Sequence, residues 1–192
     1  VNLFRNGEPV RMSKRTGDII TMQEVLDEIG VDALRYLLAR KSVNTAIDFD
    51  LGLAVKQSSD NPVYYVQYAH ARMASILRKA EDSGFHQQGT QRRLGSISPA
   101  GDPAKAGPHL HASERALILK ALAFPETVLD ATDALEPHRL CLYLEELANL
   151  LHVFYHECRV IDEENPEQTQ RRLMMVNQLK SLFKIGLDLL GV

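Results

Sequence analysis

The 192 residues carry 22 basic against 25 acidic side chains, a formal charge of −3 that excludes holding a polyanion through overall basicity; a nucleic-acid partner must be met locally. A 45% share of hydrophobic residues suffices for a sizeable core in one large or two small globular units, and no apolar run reaches the roughly 18 residues of a membrane span. Cys141 and Cys158 stand far apart outside any CxxC spacing and no signal peptide opens the chain, so we expect a reducing, cytoplasmic setting, no disulfide and no membrane partner.

In VNLFRNGEPV, extended-favouring runs flank Asn6-Gly7, a dipeptide whose tolerance of positive φ predicts a tight hairpin. The hairpin delivers VRMSKRTGD, with Arg11, Lys14 and Arg15 close together beside the Ser13 and Thr16 hydroxyls and Gly17. Such a loop is suited to clasping phosphate oxygens, although these residues alone read more simply as a solvated basic turn. Neither a Gly-rich phosphate loop nor a strand-rich nucleotide fold accompanies it. Thr21 with Glu24 forms a capping-box pattern for a helix that Gly30 stops. Asp32 is expected to cap the next helix, ALRYLLARK, with Leu34, Leu37 and Leu38 on one face, and NTAIDFDLGLAV reads as a short extended or irregular connection.

Asp60 or Asn61 caps a long helix with Pro62 in its first turn, reaching about Ser83. At about 100° per residue, Val66, Ala69, Met73, Ile76, Leu77 and Ala80 share a core-facing arc, while Tyr65, Tyr68, Arg72, Ser75 and Lys79 gather on a neighbouring one. Rings beside cations can stack unpaired bases and hold the adjoining phosphates of an RNA loop; they can also pack on a neighbouring helix with hydroxyls at the rim. Residues 84–112, rich in Gly, Pro, Ser and Gln, predict a flexible surface insertion in which His109 and His111 are solvated. Ser113 with Glu114 restarts a helix, kinked at Pro125. Pro137 opens another, on which Leu140, Leu144, Leu147, Leu151, Phe154 and Cys158 recur at helical spacing. His152, His156 and Cys158 have a zinc-compatible spacing but no further ligand motif, so they read as packing or rim residues and no metal site is expected. DEEN near Asp162 is a helix-ending turn, and Pro166 opens a last helix whose methionines read as core packing. The sum is an antiparallel helical bundle.

Three segments, RMSKRTGD, GVDALRYLLARKS with IDFDLGLA, and DNPVYYVQYAHARMASILR, closely resemble in order and spacing the carboxy-terminal part of bacterial arginyl-tRNA synthetases. The resemblance implies an all-α, DALR-type anticodon-binding bundle over 59–192, preceded in 1–58 by a short β-hairpin, the end of a catalytic domain with its signature loop, and connecting helices. In these class I enzymes the first segment is the KMSKS loop, which closes over ATP. Here Arg11 stands at the first lysine, Met12, Ser13 and Lys14 match, and Arg15 replaces the final serine. The five are thereby implied to form the ATP loop, with Lys14 as the catalytic contact to the phosphates; Arg11 keeps the charge but not lysine geometry. Asp32 to Arg35 spells DALR, whose implied work is structural. Tyr65 and Tyr68 are implied to face the anticodon arm, Arg72 joins them from its place on the same arc, and His70 reads as structural. The whole enzyme would use ATP with Mg2+ and arginine to form arginyl-adenylate, then charge arginine tRNA, as a monomer. No HIGH or HxGH tetrapeptide occurs, so the catalytic nucleotide-binding domain is expected to lie outside this chain, which alone would not adenylate or hold a cofactor tightly. A free-standing RNA-binding module and a protein-interaction bundle are the competing readings, and neither needs the cationic loop.

Overall fold

A computed structural model describes residues 2–10, 20–85 and 110–192. The loop residues Arg11, Met12, Ser13, Lys14 and Arg15, and positions 86–109 of the expected insertion, lie outside the described residues.

Strands β1 (Asn2–Arg5) and β2 (Glu8–Pro9) form the expected hairpin, with Asn6 and Gly7 at φ 53° and 85° in its turn. The segment read as an irregular connection instead supplies β3 (Asp48–Asp50), parallel to β1 with Leu3 opposite Phe49, so the sheet has three strands in the order β2-β1-β3. Its Asp50 carboxylate accepts the backbone N–H groups of Asn6 at 3.0 Å and Gly7 at 2.8 Å, tying hairpin to strand.

Thr21 and Glu24 cap α1 (Met22–Ile29) reciprocally, and Gly30 ends it at φ 81°. Helix α2 (Val31–Ala39) follows at once with Gly30 in the cap position, so Asp32 lies inside the first turn and makes no capping bond. The expected apolar face is also corrected. Ala33 and Tyr36 are the buried residues, because α2 is wedged between two cores; Leu34 and Leu37 lean half-buried on the small cluster of Val25, Phe49, Leu51 and Ala54, and Leu38 is exposed. After the short α3 (Leu51–Ala54), Asn61 caps α4 (Pro62–Asp82).

Helix α5 (Ala112–Leu122) starts from His111, whose Nδ1 accepts the Ser113 N–H and whose own N–H donates to Glu114 at 2.7 Å. His111 is exposed, as expected, but serves as the helix cap and not as a free loop residue. Glu114 turns inward to meet Arg172 at 2.8 Å, both groups buried, and Arg172 also donates to the Arg159 carbonyl at 2.8 Å. Pro125 separates α5 from α6 (Phe124–Asp133) as expected. Leu140, Leu144, Leu147, Leu151 and Phe154 of α7 (His138–Glu157) meet Val66, Ala69, Met73 and Leu77 of α4 and Leu173, Val176, Leu179 and Phe183 of α8 (Pro166–Leu190) in one core. At Gly186 a Cβ would stand 2.8 Å from a Leu144 methyl, so any side chain there would force Leu144 to shift where α8 approaches α7. Met174, expected in the core, is 58% exposed, and only Met175 packs against it. Most of the described chain is helical, and no described helix is long and apolar enough to cross a membrane.

Candidate nucleic-acid interface

Helix α4 is fixed at its start by Asn61, which is buried and bonded in both directions. Its Oδ1 accepts the Val63 and Tyr64 N–H groups at 3.1 and 3.5 Å, while its amide donates to the Ala54 and Lys56 carbonyls at 2.9 Å each. That sets the rotation of everything the helix displays. Tyr64, Tyr68 and Arg72 follow at steps of four and so stand in one row. The Tyr64 and Tyr68 rings stack with centroids 5.8 Å apart and planes 18° off parallel. From α7, His152 lies 6.1 Å from Tyr68 in a near-parallel stack and 4.9 Å from Tyr65. Arg72 donates to the Tyr68 hydroxyl at 3.3 Å and sits 5.3 Å from the Tyr155 ring centre. The result is an aromatic stripe across two helices, with a guanidinium at one end.

The arc read from α4 divides in two. Tyr68, 41% exposed, and Arg72 stand together at the surface; Tyr65 is half-buried against the core, and burial raises its phenol pKa. Lys79 is exposed about two turns beyond Arg72. Three members of the stripe escaped the sequence reading. The four-residue step from Tyr68 could have found Tyr64, but His152 and Tyr155 join through contact between α4 and α7, which no single-helix arc displays. The three zinc-spaced groups face different surroundings: His152 enters the stripe, His156 is exposed, and the Cys158 thiol is buried 3.6 Å from the Ser113 hydroxyl. His70 is half-buried away from these rings, near Lys180 and Lys184.

The stripe is fastened to the rest of the molecule through α7. Glu145 accepts both Arg40 Nε at 2.6 Å and Nη2 at 3.0 Å, and the Tyr36 hydroxyl lies 3.3 Å from the same carboxylate and 3.1 Å from the Cys141 carbonyl. This bidentate pair and the buried phenol bolt α2 to α7. A cavity of about 380 Å³ lined by Arg40, Lys41, Asp60, Tyr65 and Glu145 opens beside the joint.

Burial, reinforced by Arg72, holds the His152 imidazole below its ordinary value of 6.5, and burial with Lys180 and Lys184 does the same to His70. Burial pushes the Glu114 carboxyl up, but the Arg172 hydrogen bond and the His111 N–H bring it below its ordinary 4.5. In each case the unfolded chain binds the proton more readily, so the stabilisation is complete above the ordinary pKa and lost on acidification. Thermal melts are expected to weaken first below about pH 6.5, as the histidines charge, and again below about pH 4.5. A melting temperature flat down to about pH 5 would contradict neutral, buried histidines.

Residues 66–192 match the family described as DALR anticodon binding domain. Along its whole length the chain is 46% identical to the arginine–tRNA ligase of Geobacillus kaustophilus and 41% identical to that of Bacillus subtilis, spanning 32% of each. The solved Thermus thermophilus arginyl-tRNA synthetase matches 99% of the chain at 29% identity with a TM-score of 0.63, over 33% of its own length. The chain thus spans about a third of the length of the curated relatives it matches.

Proposed function

This chain belongs to the DALR anticodon-binding domain family, and from that premise we propose that its aromatic stripe holds the anticodon arm of arginine tRNA. The observation that carries the reading is the open Tyr68 ring bonded to Arg72 on a protein whose net charge is negative. A base unstacked from the loop lies on Tyr68 while Arg72 takes an adjoining phosphate, and Tyr64 stacks against the same ring. Cations placed beside rings give what overall charge withholds.

In a whole ligase carrying this chain, arginine and ATP with Mg2+ give arginyl-adenylate and pyrophosphate, and the arginyl group passes to the terminal ribose of the tRNA. Residues 11–15 are the ATP loop, with Lys14 on the phosphates, and the chain divides into a catalytic end at 1–58 and the recognition bundle at 59–192. The names of the relatives and the signature tetrapeptides support this assignment; a monomeric protein of the cytoplasm is part of the same proposal.

The test is a titration of arginine tRNA, and of the same tRNA with an altered anticodon, at one fixed salt concentration. Tighter binding of the unaltered tRNA is expected; equal affinity or none overturns the reading. Tyr68→Ala should weaken that binding by about 1–3 kcal/mol with the helical fold intact by circular dichroism. Unchanged binding would make Tyr68 a packing residue.

A further inference from the structure

Four buried side-chain polar atoms lack a hydrogen-bond partner among the described residues, and two of them, His152 Nε2 and the Tyr155 hydroxyl, belong to the stripe. Leaving a buried polar atom unpaired forfeits its hydration without return, and native proteins rarely keep such a group. What lies against His152 is informative. Tyr65 meets it from the core side, and Tyr68 lies nearly parallel to it from the open side. Of these two rings Tyr68 is the exposed one, held among the described residues by ring contacts and by a single 3.3 Å bond from Arg72. Exposed side chains change rotamer within nanoseconds. The cover over His152 is therefore movable, and its cost is partly met by the group it would uncover.

We propose that His152 is a base-reading residue: when Tyr68 turns outward to stack on an unpaired nucleotide, His152 Nε2 becomes the hydrogen-bonding atom for that nucleotide's base edge or 2′-hydroxyl. The inference rests on the stripe being the RNA face. A neutral imidazole carries one donor and one acceptor, so it can discriminate between base edges where a phenyl ring of similar shape cannot. The groups facing it are Tyr65, Tyr68 and Arg72 from α4, with Tyr155 beside it on α7; the one charge among them is positive and favours the neutral ring. Free-state stability is given up here for recognition.

The two roles predict opposite signs for one substitution. His152→Phe removes the unpaired nitrogen and keeps the ring, so this variant should melt at a higher temperature than the wild type while binding a synthetic anticodon stem–loop of arginine tRNA about tenfold more weakly. His152→Gln, whose amide nitrogen lies near the position of Nε2, should recover part of the affinity, and the wild-type imidazole 15N resonances should shift when the RNA is added. Wild-type affinity in His152→Phe, with Tyr68→Ala still impaired, overturns the role of His152 and leaves the RNA face standing. A wild-type protein that does not bind the stem–loop overturns both. Equal losses in the Phe and Gln variants with unmoved 15N resonances assign His152 to packing and overturn the proposal.

Discussion

Glu114→Ala is expected to destabilise the protein by about 3–5 kcal/mol, the cost of leaving a buried charge without its partner. Arg172 is only 7% exposed, and with the carboxylate gone its guanidinium keeps, among the described residues, just the Arg159 carbonyl. The same change removes the acceptor for the His111 N–H at the start of α5, the returning half of its capping box. Urea unfolding of the variant measures the sum. Removing both charges at once, as Glu114→Leu with Arg172→Leu, should recover much of the loss, because it is the orphaned ion and not the absence of a pair that is expensive. A single-variant loss below about 1 kcal/mol would mean that Arg172 escapes to water, and that α5 and α8 are not fastened through this pair.

In a whole ligase carrying this chain, Lys14→Ala should slow adenylate formation by about 10²–10³-fold, the usual cost of removing one positioned donor from a site where charge develops. ATP–pyrophosphate exchange reads that step directly. Affinity for tRNA should stay nearly unchanged, since the lysine is assigned to the phosphates and not to the RNA. Lys14→Arg keeps the charge but offers a planar fork in place of a compact ammonium, so partial recovery is expected. An unaltered exchange rate would contradict the ATP-loop assignment.

Local signals in the sequence were mostly strong enough to be read. Asn6-Gly7, Thr21 with Glu24, Pro125 and Pro166 each act through backbone chemistry confined to a few residues, and each marks the element boundary expected of it. The leucine spacing of α7 likewise identifies its buried face. What stayed hidden depends on which element comes next in space. The strand at Asp48–Asp50 has too few residues to show a period, and it exists because β1 offers an edge and Asp50 clasps the hairpin turn. Tyr36 reads as one more helix residue until Glu145, far along the chain, reaches its hydroxyl. The stripe follows the same rule. Tyr68 and Arg72 are visible as a row on α4, whereas His152 becomes a site residue only through the ring that crosses from α4 to α7.

Chemical-shift mapping of the isotopically labelled chain, titrated with the anticodon stem–loop of arginine tRNA, locates the RNA on the protein surface. The largest changes are expected at Tyr64, Tyr68 and Arg72 on one helix and at His152 and Tyr155 on the other. Saturable shifts confined to α5 and α6, with those five residues unmoved, would contradict recognition through the stripe.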